Sequence, residues 1–216
     1  RLGRPEDAMP WLAEAVRVSP ESGTARNALG LALAQSGRTG EAIEHLTAAV
    51  RLQPASADSR VNLGMALWQT GAQAEALEQY RQALALDPRS ATVHNNLGGA
   101  LAQLGDVKAA IPLLEQAVAL NPDYAEAHAN LALALRASGD AAGALTHFRE
   151  AVRLLPGNVV LRAELGQLLM EGGRASDALA QFEEAARLAP ESPEVGFLLG
   201  QAHAQAGQIP RATQVL

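Results

Sequence analysis

Apolar residues in this chain recur at helical spacing, and the helical stretches themselves recur. In residues 57–90, Leu63, Ala66 and Leu67 form one apolar stripe, while Ala76, Leu77, Tyr80, Ala83 and Leu84 form a second. Gly71 lies between them and supplies the positive φ that ends the first helix; Pro88 stops the second. Each unit usually opens on a polar residue able to accept from orphan helix amides, as at Ser22, Ser56, Ser90, Asn158 and Ser192. No alternating strand pattern competes. The turn glycine returns every 34 residues without insertion or deletion, at Gly3, Gly37, Gly71, Gly105, Gly139, Gly173 and Gly207. Leucine keeps the same step at Leu29, Leu63, Leu97, Leu131, Leu165 and Leu199, and the residue after it is always Gly or Ala. Small residues let helix backbones approach closely, and Leu46, Tyr80, Leu114, Phe148 and Phe182 fill the space between them. A strict period of this length predicts stacked two-helix units in place of one closed core.

These columns resemble the tetratricopeptide repeat along the whole chain. In 57–90 the family pattern is met by Leu63, Gly64, Leu67, Gly71, Ala76, Tyr80, Ala83 and Pro88. The resemblance implies an all-α, right-handed superhelical solenoid of antiparallel helix-turn-helix repeats. It divides the chain into a single array: a partial repeat 1–22, full repeats 23–56, 57–90, 91–124, 125–158 and 159–192, and a partial repeat 193–216. The aromatic expected early in the first helix is missing, and Arg26, Arg60, His94, His128, Arg162 and Gly196 stand there instead. The repeat is specific for fold and says little about function, since it serves many unrelated partners.

A net charge of -6 removes the basic stripe that a nucleic-acid or anionic-membrane surface needs. No apolar run approaches the roughly 20 residues that cross a bilayer, so no membrane insertion is expected of this segment. Without cysteine there are no disulfides or thiolate metal sites. The chain opens at Arg1 without a methionine, partway through a unit, and closes at Leu216 partway along a second helix. We read it as a piece of a longer protein, with Met9, Leu12 and Val16 at one end, and Val215 and Leu216 at the other, inviting end-to-end self-association.

In the family resembled, first helices line a concave groove. The inward stripe of 57–90 is then Asp58, Asn62, Met65 and Gln69; that of 91–124 is Thr92, Asn96, Gly99 and Gln103; that of 125–158 is Glu126, Asn130, Leu133 and Ala137. Asn62, Asn96 and Asn130 repeat on three adjacent first helices. Asparagine is a middling helix former, and its amide can bond both the N–H and the C=O of an extended peptide. The arrays of O-linked N-acetylglucosamine transferases look similar, with such a ladder along the groove. Two readings stay open: a peptide-holding ladder, or solvated polar positions copied by duplication. Gln69 and Gln103 add a second file of amides, Met65 and Trp68 offer apolar cover, and Arg136 is the main cation nearby. Relatives that grip a terminal carboxylate use lysines where this chain has Thr24, Asp58, Thr92 and Glu126, so a neutral or basic segment suits the groove better.

No H-E-x-x-H, phosphate-loop or nucleophile-elbow motif is present, and no catalytic residue or cofactor is assigned. His94 and His128 hold equivalent positions in neighbouring units and form the one metal-like pair, without a third ligand in their column. The sequence therefore reads as a non-enzymatic scaffold for a protein or extended peptide. A self-assembling array and the substrate-recruiting arm of a larger glycosyltransferase are the alternatives. The pair Gly98–Gly99 and Pro112 make 91–124 the expected weak point of the array.

Overall fold

The computed structural model describes residues 5–207, so Gly3, Val215 and Leu216 lie outside the described residues. Among those residues the chain forms twelve α-helices and no strand. The first helices of the repeats are α2 (Gly23–Gln35), α4 (Ala57–Gln69), α6 (Ala91–Gln103), α8 (Ala125–Ser138), α10 (Val159–Glu171) and α12 (Pro193–Gln205). The second helices are α1 (Pro5–Val18), α3 (Thr39–Leu52), α5 (Gln73–Leu86), α7 (Val107–Leu120), α9 (Ala141–Leu154) and α11 (Ala175–Leu188).

Five of the six first helices begin just after a capping side chain, and α8, which follows Tyr124, begins without one. Ser22, Ser56, Ser90, Asn158 and Ser192 each accept from the backbone N–H three residues on, at 3.1–3.4 Å. Each first helix ends at its glycine, which takes a φ between 72° and 91° from Gly37 through Gly207. In the turns after α2, α4, α6, α8 and α10, the amide just past that glycine reaches back five residues to a helix carbonyl. Arg38 N–H bonds Leu33 O at 2.9 Å and Ala72 N–H bonds Leu67 O at 3.0 Å, the closure that satisfies the last-turn carbonyls.

The chain divides into two compact units, Arg1–Ala100 and Leu101–Leu216, the division falling within α6. In the first unit each helix from α1 to α4 packs on the next, reaching α5, and α2 also meets α4. In the second, successive helices pack from α7 to α12, and α10 also meets α12. The second-helix columns are the driest part of both: Ala42, Leu46 and Ala49, and likewise Ala144, Phe148 and Ala151, are 0 % exposed. A glycine facing the large residue makes room for it. A Cβ built on Gly64 would lie 2.6 Å from Tyr80 Cε1, and one on Gly166 would lie 2.5 Å from Phe182 Cε1. Burial pushes the Tyr80 phenol up to about 12. Pro10 and Pro112 sit inside α1 and α7 with their rings exposed, away from the packed stripes.

At the N-terminal end the apolar face expected to be open is partly covered. Met9, Leu12 and Val16 are half-buried, since α1 packs on α2; the exposed apolar residues of α1 are Trp11 (78 %) and Val18 (67 %).

Candidate functional site

In the first unit, α4 turns Asp58, Met65 and Gln69 to solvent with Asn62 half-buried between them, as a shared helical stripe requires. Met65 is 41 % exposed, a large apolar side chain left open on a face that is otherwise polar. Trp68 is half-buried. Asn62 is not an idle amide: its Nδ2 donates to Asn27 Oδ1 of α2 at 3.0 Å. Asn27 lies one position before the equivalent of Asn62, which is Ala28, so a strict column comparison misses it. Asn96 Nδ2 is buried with no hydrogen-bond partner among the described residues, and Gly99 beside it is buried too.

In the second unit, Gln103 is exposed at the end of α6, Asn130 is half-buried on α8, and Leu133 is 38 % exposed. Met65 and Leu133 thus hold one repeat position and the same exposure. Arg136, read from sequence as the main cation near the groove, forms an ion pair with Glu164 of α10 at 3.0 Å, with both side chains under a third exposed. Sequence reasoning missed the corresponding surface of α10 and α12. There Gln167 and Gln201 take the Met65–Leu133 position and make no hydrogen bond among the described residues. Beside them, Val160 (66 % exposed) and Phe197 (54 %) border a cleft of about 620 Å³. Val160 carried a usable signal, being the one apolar residue in a column of Thr24, Asp58, Thr92, Glu126 and Glu194.

The column that lacks the expected aromatic has a structural answer. Arg26, Arg60 and Arg162 each donate to the carbonyl six residues back, at Pro20 (2.7 Å), Pro54 (3.0 Å) and Pro156 (2.8 Å). Arg60 and Arg162 also donate to a glutamine nineteen residues on in their own second helix, Gln79 and Gln181, both at 3.2 Å. The guanidinium fork ties a loop carbonyl to the following helix pair, work that one aromatic ring cannot do by hydrogen bonding.

His128 is the imidazole version of this tie. Its Nε2 meets Pro122 O at 3.0 Å, and its Nδ1 meets Nδ1 of His147, again nineteen residues on, at 3.0 Å. A carbonyl only accepts, so His128 Nε2–H donates to Pro122 O, and of the two facing Nδ1 atoms one donates and the other accepts. Burial, then the neighbouring His128, holds the His147 imidazole below its ordinary pKa, against the pull of Glu115, Asp140 and Glu150. His128 is thus matched with His147, while His94 Nδ1 bonds Ser90 O at the start of its own helix at 3.0 Å. The column spacing could not show this, because the matched residue sits on the second helix. Among the described residues no three acidic or imidazole side chains converge on a metal position, and no helix is long and apolar enough to cross a membrane.

Comparison with known proteins agrees with this anatomy. A family model described as a tetratricopeptide repeat matches residues 1–57, 96–159 and 164–216, and a TPR repeat model matches 69–105. The fold is similar to a chain of the APC/C hetero-tetramer Cut9–Hcn1, at 21% identity and a TM-score of 0.85, over 92% of this chain. It spans only 39% of that chain's length. It is also similar to pilF of Pseudomonas aeruginosa, at 26% identity and a TM-score of 0.81, covering 91% of this chain and 89% of that one. YrrB, described as a TPR protein with an unusual peptide-binding site, matches at 21% identity and a TM-score of 0.65, covering 89% and 97% of the two chains. Comparison with curated proteins finds no match. Repeats of this kind are typical of protein–protein interaction scaffolds and generally carry no catalytic activity. With repeat models covering most of its length, the chain belongs to the tetratricopeptide repeat family.

Proposed function

We propose that this chain is a non-catalytic scaffold that holds an extended protein segment along the exposed stripes of its first helices. One observation carries the reading: Met65 and Leu133 hold one repeat position of the first helices and are each about two-fifths exposed beside half-buried amides. A large apolar side chain in the open, flanked by hydrogen-bonding groups, is the usual make-up of a recognition surface. In the first unit Asn62 gives one N–H to Asn27 and keeps its other N–H and its Oδ1 for a ligand backbone. In this reading Asn62 is part structural and part ligand-binding, and Asn130, half-buried on α8, is the corresponding amide of the second unit. That another protein of this fold, YrrB, carries a peptide site supports the choice of ligand class.

The test places a photo-crosslinking residue at Met65, at Leu133, or at the second-helix positions Leu86 and Leu120, which are exposed to a similar degree (42 % and 36 %). Each variant is exposed to a random nine-residue peptide library. Adducts should concentrate at Met65 and Leu133. Equal yields at Leu86 and Leu120 would show a merely sticky surface and end the proposal.

A further inference from the structure

The cleft between α10 and α12 has a composition of its own. Its apolar border is Val160, Phe197 and Leu198; its polar groups are the amides of Gln167 and Gln201 and the carboxylates of Glu164 and Glu194. No cation lines it. Glu164 is answered by Arg136 from α8, whereas Glu194 is exposed and has no ion-pair partner among the described residues. The volume, about 620 Å³, is that of a site for several residues of peptide or one large side chain with its neighbours.

These features select a ligand. An apolar border next to one uncompensated carboxylate favours a hydrophobic side chain beside a positive charge, and disfavours an acidic segment by like-charge repulsion. Gln167 and Gln201 stand 34 positions apart in sequence, at the same place on two adjacent first helices that pack together. Each amide offers both a donor and an acceptor, which matches the alternation of C=O and N–H along an extended backbone. The Val160 side chain marks the cleft as different from the other repeats, whose equivalent position is Thr, Asp or Glu.

We infer that the α10–α12 cleft binds an extended peptide through a large aliphatic residue flanked by lysine or arginine, the aliphatic group against Val160 and Phe197 and the cation at Glu194. The inference rests on the scaffold reading above and sharpens it for this unit. Gln167 and Gln201 hold the backbone, so their contribution is indifferent to sequence, and selectivity comes from the apolar wall and the carboxylate.

Fluorescence anisotropy with three labelled, end-blocked nine-residue peptides tests it: a central leucine between two lysines, the same leucine between two glutamates, and a central serine between two lysines. The lysine–leucine peptide should bind at least tenfold more tightly than either other. Val160→Glu and Gln201→Ala lie at exposed helix positions and should each weaken it several-fold with unchanged helicity by circular dichroism. Glu194→Lys should remove the preference for lysine over glutamate. Met65→Glu, in the other unit, should leave binding of this peptide within twofold. Tight binding that is insensitive to Val160→Glu and Glu194→Lys but lost in Met65→Glu would overturn the cleft assignment and leave the scaffold reading standing. Equal affinity for the lysine and glutamate peptides would also overturn it. Failure of all three peptides to bind would count against both.

Discussion

Replacing Gly64 by alanine tests the packing logic of the repeat directly. In an exposed helix interior that change stabilises by about 1 kcal/mol, because alanine is the better helix former. Here the added Cβ would sit 2.6 Å from Cε1 and 2.8 Å from Cδ1 of Tyr80, well inside the 3.4 Å at which ordinary contact begins. Tyr80 is 4 % exposed and flanked by Ala76 and Ala83, both 0 % exposed, so its ring has no free volume to swing into. Relief must come from spreading α4 from α5. Overpacking of this sort costs about 1–3 kcal/mol, and against the propensity gain we expect a net loss of about 1–2 kcal/mol. Alanine is tolerable opposite a large ring when the pair is built around it, as Ala132 and the fully buried Phe148 show in the second unit. Trp68, one turn beyond Gly64 on α4, serves as a local fluorophore for urea unfolding. In a Tyr80→Ala background the clash is gone, and the same Gly64→Ala change should become neutral or stabilising. A midpoint for Gly64→Ala that is unchanged or higher in the native background, or an equal effect in both backgrounds, would refute the argument.

Acid should weaken the second unit through its histidine tie. Because the folded pKa of His147 lies below its ordinary value of about 6.5, the unfolded chain binds the extra proton first, so the stabilisation is complete above that pH and is lost as pH falls through it. His128→Arg with His147→Gln recreates the Arg60–Gln79 arrangement and should narrow the difference in melting temperature between pH 7 and pH 5; His45, also held low mainly by burial, keeps part of the slope. An unaltered difference would refute that role. Amide hydrogen exchange should show lower protection across 91–124 than across 57–90 or 125–158, with Gly98 and Gly99 costing about 1 kcal/mol each and Pro112 up to about 3 kcal/mol; equal protection would remove the soft spot. Light scattering on a dilution series should show association driven by Trp11 and Val18 and abolished by Trp11→Glu with Val18→Glu, whereas association unaffected by those changes would place the contact elsewhere.

Periodicity was enough to locate the first helices, five of their caps and their turns, because those features depend on residues within one turn of each other. Ser56 and Gly71 act on amides and carbonyls close to them in sequence, so identity and position suffice. The site is less legible for a matching reason. Asn62 with Asn27, and Arg136 with Glu164, are joined by helix rotation and side-chain reach between units, at separations of 35 and 28 that straddle the repeat length. Column comparison looks only at steps of 34 and passes over both. The basic ties are invisible for another cause: the pattern marked Arg60 as a missing aromatic, and only geometry shows a carbonyl on one side and a glutamine on the other.

Those ties also bear on how the chain comes off the ribosome. Arg60 draws on Pro54 behind it and on Gln79 and Gln82 ahead, so every group it needs has been synthesised once its own second helix is out. At roughly 5–20 residues per second, that stretch emerges within a few seconds, before the following repeat is available to cover it. A nascent unit can therefore lock its hinge to the loop behind it using polar bonds alone, and present a fixed apolar flank to the next pair of helices as they arrive. Duplication of a unit such as 57–90 would add a copy that carries its own fastening, with no distant partner to wait for.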